Sequence, residues 1–328
     1  MDTNYDLTIV GAGIAGLWCA WLARRSGMAV RVVERGSEAL TAGCSWRAGG
    51  MLAPEVEAET AEPVVTVLGR RSLALWQAHF PQLVTMQGTL LLPPRRDPAQ
   101  LNRFRRQTEG WEEADADRVV ALEPVLEGHH GRGLYYPVEG HVDPRAVLPA
   151  MVAALQADGV TFEWEAALAP EAAGGPCLDC RGLDAADALP DLRGVKGEML
   201  LIRTPDLALA RPVRLLHPRH PIYVVPREGN VFMIGATTVE SGGRAGVTVR
   251  GAGELLTQAY AVHPAFGEAE VLEMNAGLRP AFPDNRPRLS RRGAVVHVNG
   301  LYRHGYLLAP AMAERALAAL QGGPVELE

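Results

Sequence analysis

The chain has 328 residues, 48% hydrophobic and 21% charged, with a formal net charge of −6. That composition excludes a disordered tail or scaffold, and the acidic balance argues against nucleic acid as a partner, which needs clustered excess Lys and Arg. Four cysteines are too few for a disulfide-built scaffold, no basic-then-apolar leader opens the chain, and no run approaches the roughly 20 apolar residues that cross a bilayer; a cytoplasmic protein of two domains, without membrane insertion, is expected.

Leu7 to Val10 is a short β-branched apolar run, followed at once by Gly11-Ala12-Gly13-Ile14-Ala15-Gly16 and an apolar stretch through Ala23. This reads as strand, turn and helix. Gly11 permits the tight turn, Gly13 lets a pyrophosphate approach the backbone, and Gly16 lets helix and strand pack closely. The helix N-terminus, with unpaired N–H groups and the positive end of its dipole, favours an anion without any basic side chain. A second strand, Ala29 to Val33, ends at Glu34, at the spacing of a ribose-binding acid. The whole register predicts a dinucleotide site; the blander alternative is a tight turn without ligand and a solvated Glu34. Flavin and nicotinamide dinucleotides both offer an ADP half to such a unit. In a nicotinamide dehydrogenase the stretch Thr41 to Pro54 would simply begin the next helix, whereas its small residues, with Gly43, Gly49 and Gly50 among them, suit a loop along a flavin ring.

Further along, residues 55–80 are predicted helical, with Leu68, Leu73 and Trp76 on one face, and Gly88 to Leu92 turns strand-like. The polar stretch Arg95 to Asp117 reads as a surface helix and turn. Asp143 and Pro144 cap and open a helix over residues 146–156. Met199 to Ile234 reads as antiparallel strands walling a pocket, residues 251–263 as a helix, and Pro310 to Leu320 as an alanine-rich helix following a loop. Cys177 and Cys180 form a lone CxxC without a second pair, so two strand thiols are expected; His129, His130, His217 and His220 lack acidic or cysteine partners, and no metal is expected.

Six segments carry a wider likeness. They are Gly11 to Gly16; Ala48-Gly49-Gly50-Met51-Leu52; Arg193-Gly194-Val195-Lys196-Gly197-Glu198; Tyr223-Val224-Val225-Pro226-Arg227 with Gly235-Ala236-Thr237; Ala276-Gly277-Leu278-Arg279-Pro280; and Arg303-His304-Gly305-Tyr306-Leu307-Leu308-Ala309-Pro310. In this order they resemble the D-amino-acid-oxidase-like superfamily of FAD enzymes, and within it the glycine oxidase branch of thiamine biosynthesis. The resemblance implies an α/β fold, in which a Rossmann-like FAD-binding domain (1–80, 142–198 and 280–328) interleaves with an α+β substrate domain built on an antiparallel sheet (81–141 and 199–279). It implies noncovalent FAD, with Gly11, Gly13, Ile14, Ala15 and Gly16 at the pyrophosphate and Glu34 and Arg35 at the adenosine. Cys44, Ser45, Gly49, Gly50 and Met51 would run along the flavin, and Arg303, His304, Gly305, Tyr306 and Leu307 would close the pocket.

Arg279 is implied as the carboxylate anchor, Tyr223 as its hydroxyl helper and Arg303 as a neighbour at the same end, with Met51 and Thr238 also facing the substrate. Without the surrounding match an interdomain ion pair would be the simpler reading of Arg279, and a core tyrosine that of Tyr223. Thr238 and Pro221 stand where a Met and a His of the family pocket fall, and the stretch from Trp164 to Pro190 is shorter than in relatives. The implied reaction is oxidative deamination of glycine, or of another small amine or D-amino acid. Hydride passes from Cα to flavin N5 with no catalytic protein residue, and O2 is reduced to H2O2. The imine hydrolyses to glyoxylate or passes to a thiazole synthase, and assembly into homo-oligomers stays open. Alternatives are a D-amino-acid or sarcosine oxidase or dehydrogenase of the same fold, a flavin-containing non-catalytic or nucleic-acid-modifying module, and a nicotinamide dehydrogenase.

Overall fold

The computed structural model describes residues 5–240, 243 and 246–327. Its opening strand lies inside a six-stranded sheet, whose order across is Arg288–Arg292, Val295–Asn299, Cys177–Asp179, Leu7–Val10, Val30–Val33 and Thr161–Glu163. All neighbours run parallel except the first two, which form a hairpin. Helices cover this sheet, so its central strands are buried and read as continuous apolar runs rather than alternating ones. Strand order reverses at Leu7–Val10, and in such sheets the crevice at the carboxyl ends beside the reversal is where ligands fit.

The helix Ile14–Arg25 packs against the C-terminal helix, which in turn packs against Pro63–His79. Trp18 and Trp76 meet edge to face at 4.8 Å in the core between them. The last helix departs from the sequence reading: it begins at Gly305 rather than Pro310, so the expected loop from Arg303 to Leu308 is a 3-10 turn, Tyr302–His304, running into helix. A proline in the second helical turn lacks the N–H that would bond the Tyr306 carbonyl. The Trp76 indole N–H donates to that carbonyl at 2.9 Å, and Ser72 Oγ accepts the Ala311 N–H at 3.1 Å. The neighbouring helix thereby supplies what the proline removes.

A second sheet of eight strands runs in the order Glu270–Ala281, Arg193–Arg203, Val231–Gly235, Ile222–Arg227, Val213–Leu215, Thr89–Leu92, Arg132–Tyr136 and Glu112–Asp115. It is antiparallel except where Val213–Leu215 meets Thr89–Leu92. The outermost strand lies in the stretch read as surface helix and turn. Only Ala114 of its four residues is buried, and a charged edge strand of this kind carries no apolar alternation to betray it. Helix Val249–Val262 lays Leu255, Ala259 and Val262 against Phe232 and Ile234 on this sheet. A small third sheet joins Met51–Leu52 and Val84–Thr85 to the two edges of Gly140–Val142. Directly after it, Asp143 Oδ1 accepts the Arg145 N–H at 2.9 Å and caps the helix Pro144–Ala157. Cys177 and Cys180 are buried, the first in a central strand and the second just beyond it. Among the described residues no helix is long and apolar enough to cross a membrane.

Trp76→Phe keeps the ring but leaves the Tyr306 carbonyl without a donor in a dry core. A loss of roughly 1–3 kcal/mol is expected, read as a lower urea midpoint. An unchanged midpoint would mean that another group takes the carbonyl.

Candidate functional site

At the carboxyl ends of the central strands lies a cavity of about 870 Å³, lined by Gly11, Gly13, Ile14, Ala15, Glu34, Arg35, Cys44 and Ser45 among others. Gly11 adopts φ +102°, and a Cβ there would stand 2.6 Å from the Cys180 carbonyl oxygen, so only glycine serves. Gly16 does not line the cavity; it lies against the Gly11 carbonyl, leaving no room for a side chain between helix and strand. The helix N-cap, Gly13, has no side chain to satisfy the first turn, and Ser45 Oγ reaches across to accept the Ile14 N–H at 3.2 Å. Glu34 accepts the Ala12 N–H on Oε2 and the Gly36 N–H on Oε1, both at 2.7 Å, leaving each oxygen a lone pair for a hydroxyl. Arg35 pairs with Asp184 at 2.6 Å. A glycine-edged helix start facing a roomy crevice, with a fixed acid at the end of the second strand, fits the ADP half of a dinucleotide. Ala166 to Ala169 and Cys180 to Asp184 complete the wall. The shortened stretch therefore still reaches the site, although no motif in it signalled this.

A second cavity, about 530 Å³, abuts the first along Ile14, Cys44, Ser45, Arg47, Gly277, Tyr302 and Gly305, which line both. It gathers Gly49, Gly50, Met51, Tyr223, Thr238, Arg279 and the run Arg303 to Leu307 from five separate parts of the chain. Arg279 comes from the long edge strand, where Gly197 and Gly277 face each other in register. A Cβ on Gly197 would collide with the Arg279 guanidinium, so that glycine makes the space in which the guanidinium lies. Arg279 Nη1 donates to the Thr237 carbonyl at 3.1 Å. The Tyr223 ring is wedged between Gly49 and Gly235, whose added Cβ atoms would come within 2.7 and 2.6 Å of it. Thr238 lies exposed at the rim.

Several residues here escaped the sequence reading. Glu57, in the short helix Pro54–Glu57, pairs with Arg214 at 2.9 Å, Arg303 at 3.3 Å and His304 at 3.5 Å. Burial opposes its ionisation, yet Arg303, Arg214 and His304 together hold its pKa at about 2. His304 is pushed down to about 4 by burial, against the pull of Glu57, and is neutral at pH 7. Arg227 is nearly enclosed; it donates to the Gly49 carbonyl at 2.7 Å and to the Val142 carbonyl at 3.3 Å, fixing the loop that carries Gly49 and Gly50. Lys196 pairs with Glu198 at 2.8 Å and donates to the Gly246 carbonyl at 2.6 Å, and Glu198 in turn accepts the Thr248 N–H at 2.9 Å. Burial works against ionisation of Glu198, but Lys196 and these donors hold its pKa below the usual range. A doubled apolar and acidic pattern, Pro54-Glu55-Val56-Glu57, was the available signal for Glu57; nothing local marked Arg214 as its partner. Among the described residues no group of His, Cys, Asp and Glu could hold a metal ion.

Behind the short helix, Glu139 accepts the Glu55 and Val56 N–H groups at 3.0 and 2.8 Å. Burial raises its pKa to about 8, against those donors, while burial lowers His141 to about 4. The folded chain thus keeps a proton on Glu139 that the unfolded chain releases above pH 4.5, and stability from this group falls as pH rises towards 8. His141 and His304 act oppositely, since unfolded histidine binds protons below pH 6.5 that the folded chain refuses until about 4. Of the three, Glu139 alone responds between pH 6.5 and 8. Unfolding free energy is expected to decline there with a slope of about one proton, and Glu139→Gln to flatten it. Urea midpoints at both pH values test this, and a slope unaffected by the substitution would mean that Glu139 is already ionised when folded.

Residues 6–320 match the FAD dependent oxidoreductase (DAO) family model. The chain is 48% identical over 97% of its length, and 98% of the other's, to a candidate thiamine biosynthesis oxidoreductase ThiO of Rhizobium etli. It is 28% identical to a bifunctional protein ThiO/ThiG of Trichormus variabilis, covering 94% of this chain but 51% of that one. A crystal structure of glycine oxidase from Geobacillus kaustophilus shares its fold, with a TM-score of 0.84 at 23% identity over 99% of this chain and 96% of that one.

Proposed function

The chain belongs to the FAD-dependent oxidoreductase family, and from that premise we propose that it oxidises glycine, or an amino acid or amine nearly as small, to the imine with O2 as final acceptor. The observation that carries this reading is the Arg279 guanidinium, held over Gly197 in a cavity that abuts the dinucleotide crevice. In this reading the FAD lies along both cavities, its ADP half against Gly11, Gly13, Ile14, Ala15, Glu34 and Arg35 and its ring half among Cys44, Ser45, Gly49, Gly50, Met51 and Arg303 to Leu307. FAD, when bound, supplies the two-electron acceptor for the Cα hydride and returns the electrons to dioxygen as hydrogen peroxide. The domain division read from the sequence goes with this proposal.

The substrate carboxylate calls for a planar donor with two prongs, which arginine supplies and lysine does not. Arg279 spends one N–H on the Thr237 carbonyl and keeps the rest of its fork for a ligand. Tyr223, immobilised between two glycines, offers its hydroxyl from a strand three places across the sheet, and Arg303 brings a second cation. A carboxylate held at one end fixes Cα and the amine, and that orientation is the protein's principal contribution to rate. The buried carboxylates lining the cavity, Glu57 and Glu198, are both held ionised by cations and are weak bases. The ammonium therefore loses its proton to solvent, and the neutral amine lone pair assists C–H cleavage without a catalytic side chain. The N-terminus of Gly305–Leu320 opens on the same cavity, where its dipole favours developing negative charge. Thr238 and Pro221 stand in this lining where the resemblance places a Met and a His, and a pocket altered at those two positions supports sarcosine or a small D-amino acid as a second reading. Hand-off of the imine to a thiazole synthase is supported by the fused relative.

Anaerobic addition of glycine to the purified yellow protein is expected to bleach the flavin, and air to restore it. A flavin that stays oxidised with glycine but bleaches with sarcosine or D-alanine would shift the substrate to the second reading. Arg279→Ala is expected to raise the KM for the reactive substrate at least about tenfold with flavin content unchanged, and an unaltered KM would remove Arg279 from the site.

A further inference from the structure

We infer that Glu57 is a positioning residue that holds the Arg303 guanidinium in place as the second cation beside Arg279; this rests on the carboxylate-binding reading of the cavity. Glu57 sits on a helix pinned from behind, where Glu139 takes the Glu55 and Val56 N–H groups. Its Oε1 accepts from Arg214 Nη1 at 2.9 Å. Its Oε2 lies 3.3 Å from Arg303 Nε and 3.5 Å from His304 Nδ1, yet it is shielded from solvent and meets hydrogen-bond geometry with neither. A shielded oxygen cannot touch a ligand in the cavity. By contact Glu57 therefore reaches a ligand only through the cation beside it, and otherwise only through the field of its charge. Arg303 is 31% exposed at its side chain against 12% for Glu57, so the tether is inside and the tethered group faces out. Approach through Nε leaves the terminal Nη groups of Arg303 for a carboxylate. The buried imidazole of His304 is neutral at pH 7 and does not compete for the Glu57 charge.

A purely structural role, with Glu57 merely neutralising buried Arg214, predicts the opposite sign for one measurement. Removing the negative charge would then leave the cavity more positive, and a small carboxylate would bind more tightly. If Glu57 positions Arg303, the released guanidinium loses its orientation and the same carboxylate binds more weakly.

The experiment is calorimetric titration of acetate into the oxidised holoenzyme for wild type, Glu57→Gln, Arg303→Met and the double variant, with flavin content measured for each. Expected is about tenfold weaker binding in Glu57→Gln, a similar loss in Arg303→Met, and no further loss when the two are combined. Unchanged or tighter binding in Glu57→Gln, or losses that simply add, would overturn the inference. Because glutamine beside an unpaired Arg214 can cost the fold, Glu57→Gln with Arg214→Met is measured as well, with the same loss expected. Wild-type enzyme that fails to bind acetate would bring down the carboxylate reading and this inference with it; wild type that binds, with Glu57→Gln equally good, brings down the inference alone.

Discussion

The reversal of strand order at Leu7–Val10 is the constraint to which the rest of the molecule answers. The next strand in sequence, Val30–Val33, lies on one side of it and Cys177–Asp179 on the other, and in such sheets a crevice opens at the carboxyl ends of the strands where the order reverses. The first helix can point its N-terminus into the crevice only by lying almost against the Gly11 carbonyl, which is why position 16 carries no side chain. The larger sheet then extends the crevice rather than forming a separate site. Its two longest strands, Arg193–Arg203 and Glu270–Ala281, meet at facing glycines beside the 3-10 turn Cys44–Arg47.

Charge is buried where this extension occurs. Glu57 with Arg214, Glu198 with Lys196 and Arg227 near Asp143 all lose much of their hydration, which is unfavourable unless each partner stays in place. Such pairs add little net stability, but breaking one leaves an uncompensated ion, so they resist rearrangement. Here they fix backbone as well as side chains: Arg227 holds the Gly49 carbonyl and Glu198 holds the Thr248 amide.

The parts legible in the sequence were those whose physical cause is local. The glycine spacing from Gly11 to Gly16, the acid at Glu34 and the Asp143-Pro144 helix start each depend on a few neighbouring residues, and each lies where the pattern placed it. Arg279, Tyr223 and Arg303 came from resemblance, and the structure brings them to one cavity. The misses have distant causes. The last helix starts five residues early because a tryptophan 230 positions away serves the carbonyl that Pro310 leaves free. Glu57 acquires its environment from Arg214, 157 residues on. The strand Glu112–Asp115 is a strand only because Arg132–Tyr136 offers it an edge.

Of the 32 lysine and arginine residues, Lys196 is the sole lysine, and it is 4% exposed with its ammonium engaged by Glu198 and Gly246. Every other residue of those two types presents a guanidinium. Guanidinium does not form the Schiff base that a primary amine forms with an aldehyde. Should an imine hydrolyse to an aldehyde before it leaves, no accessible ε-amine on the enzyme's own surface is there to condense with it.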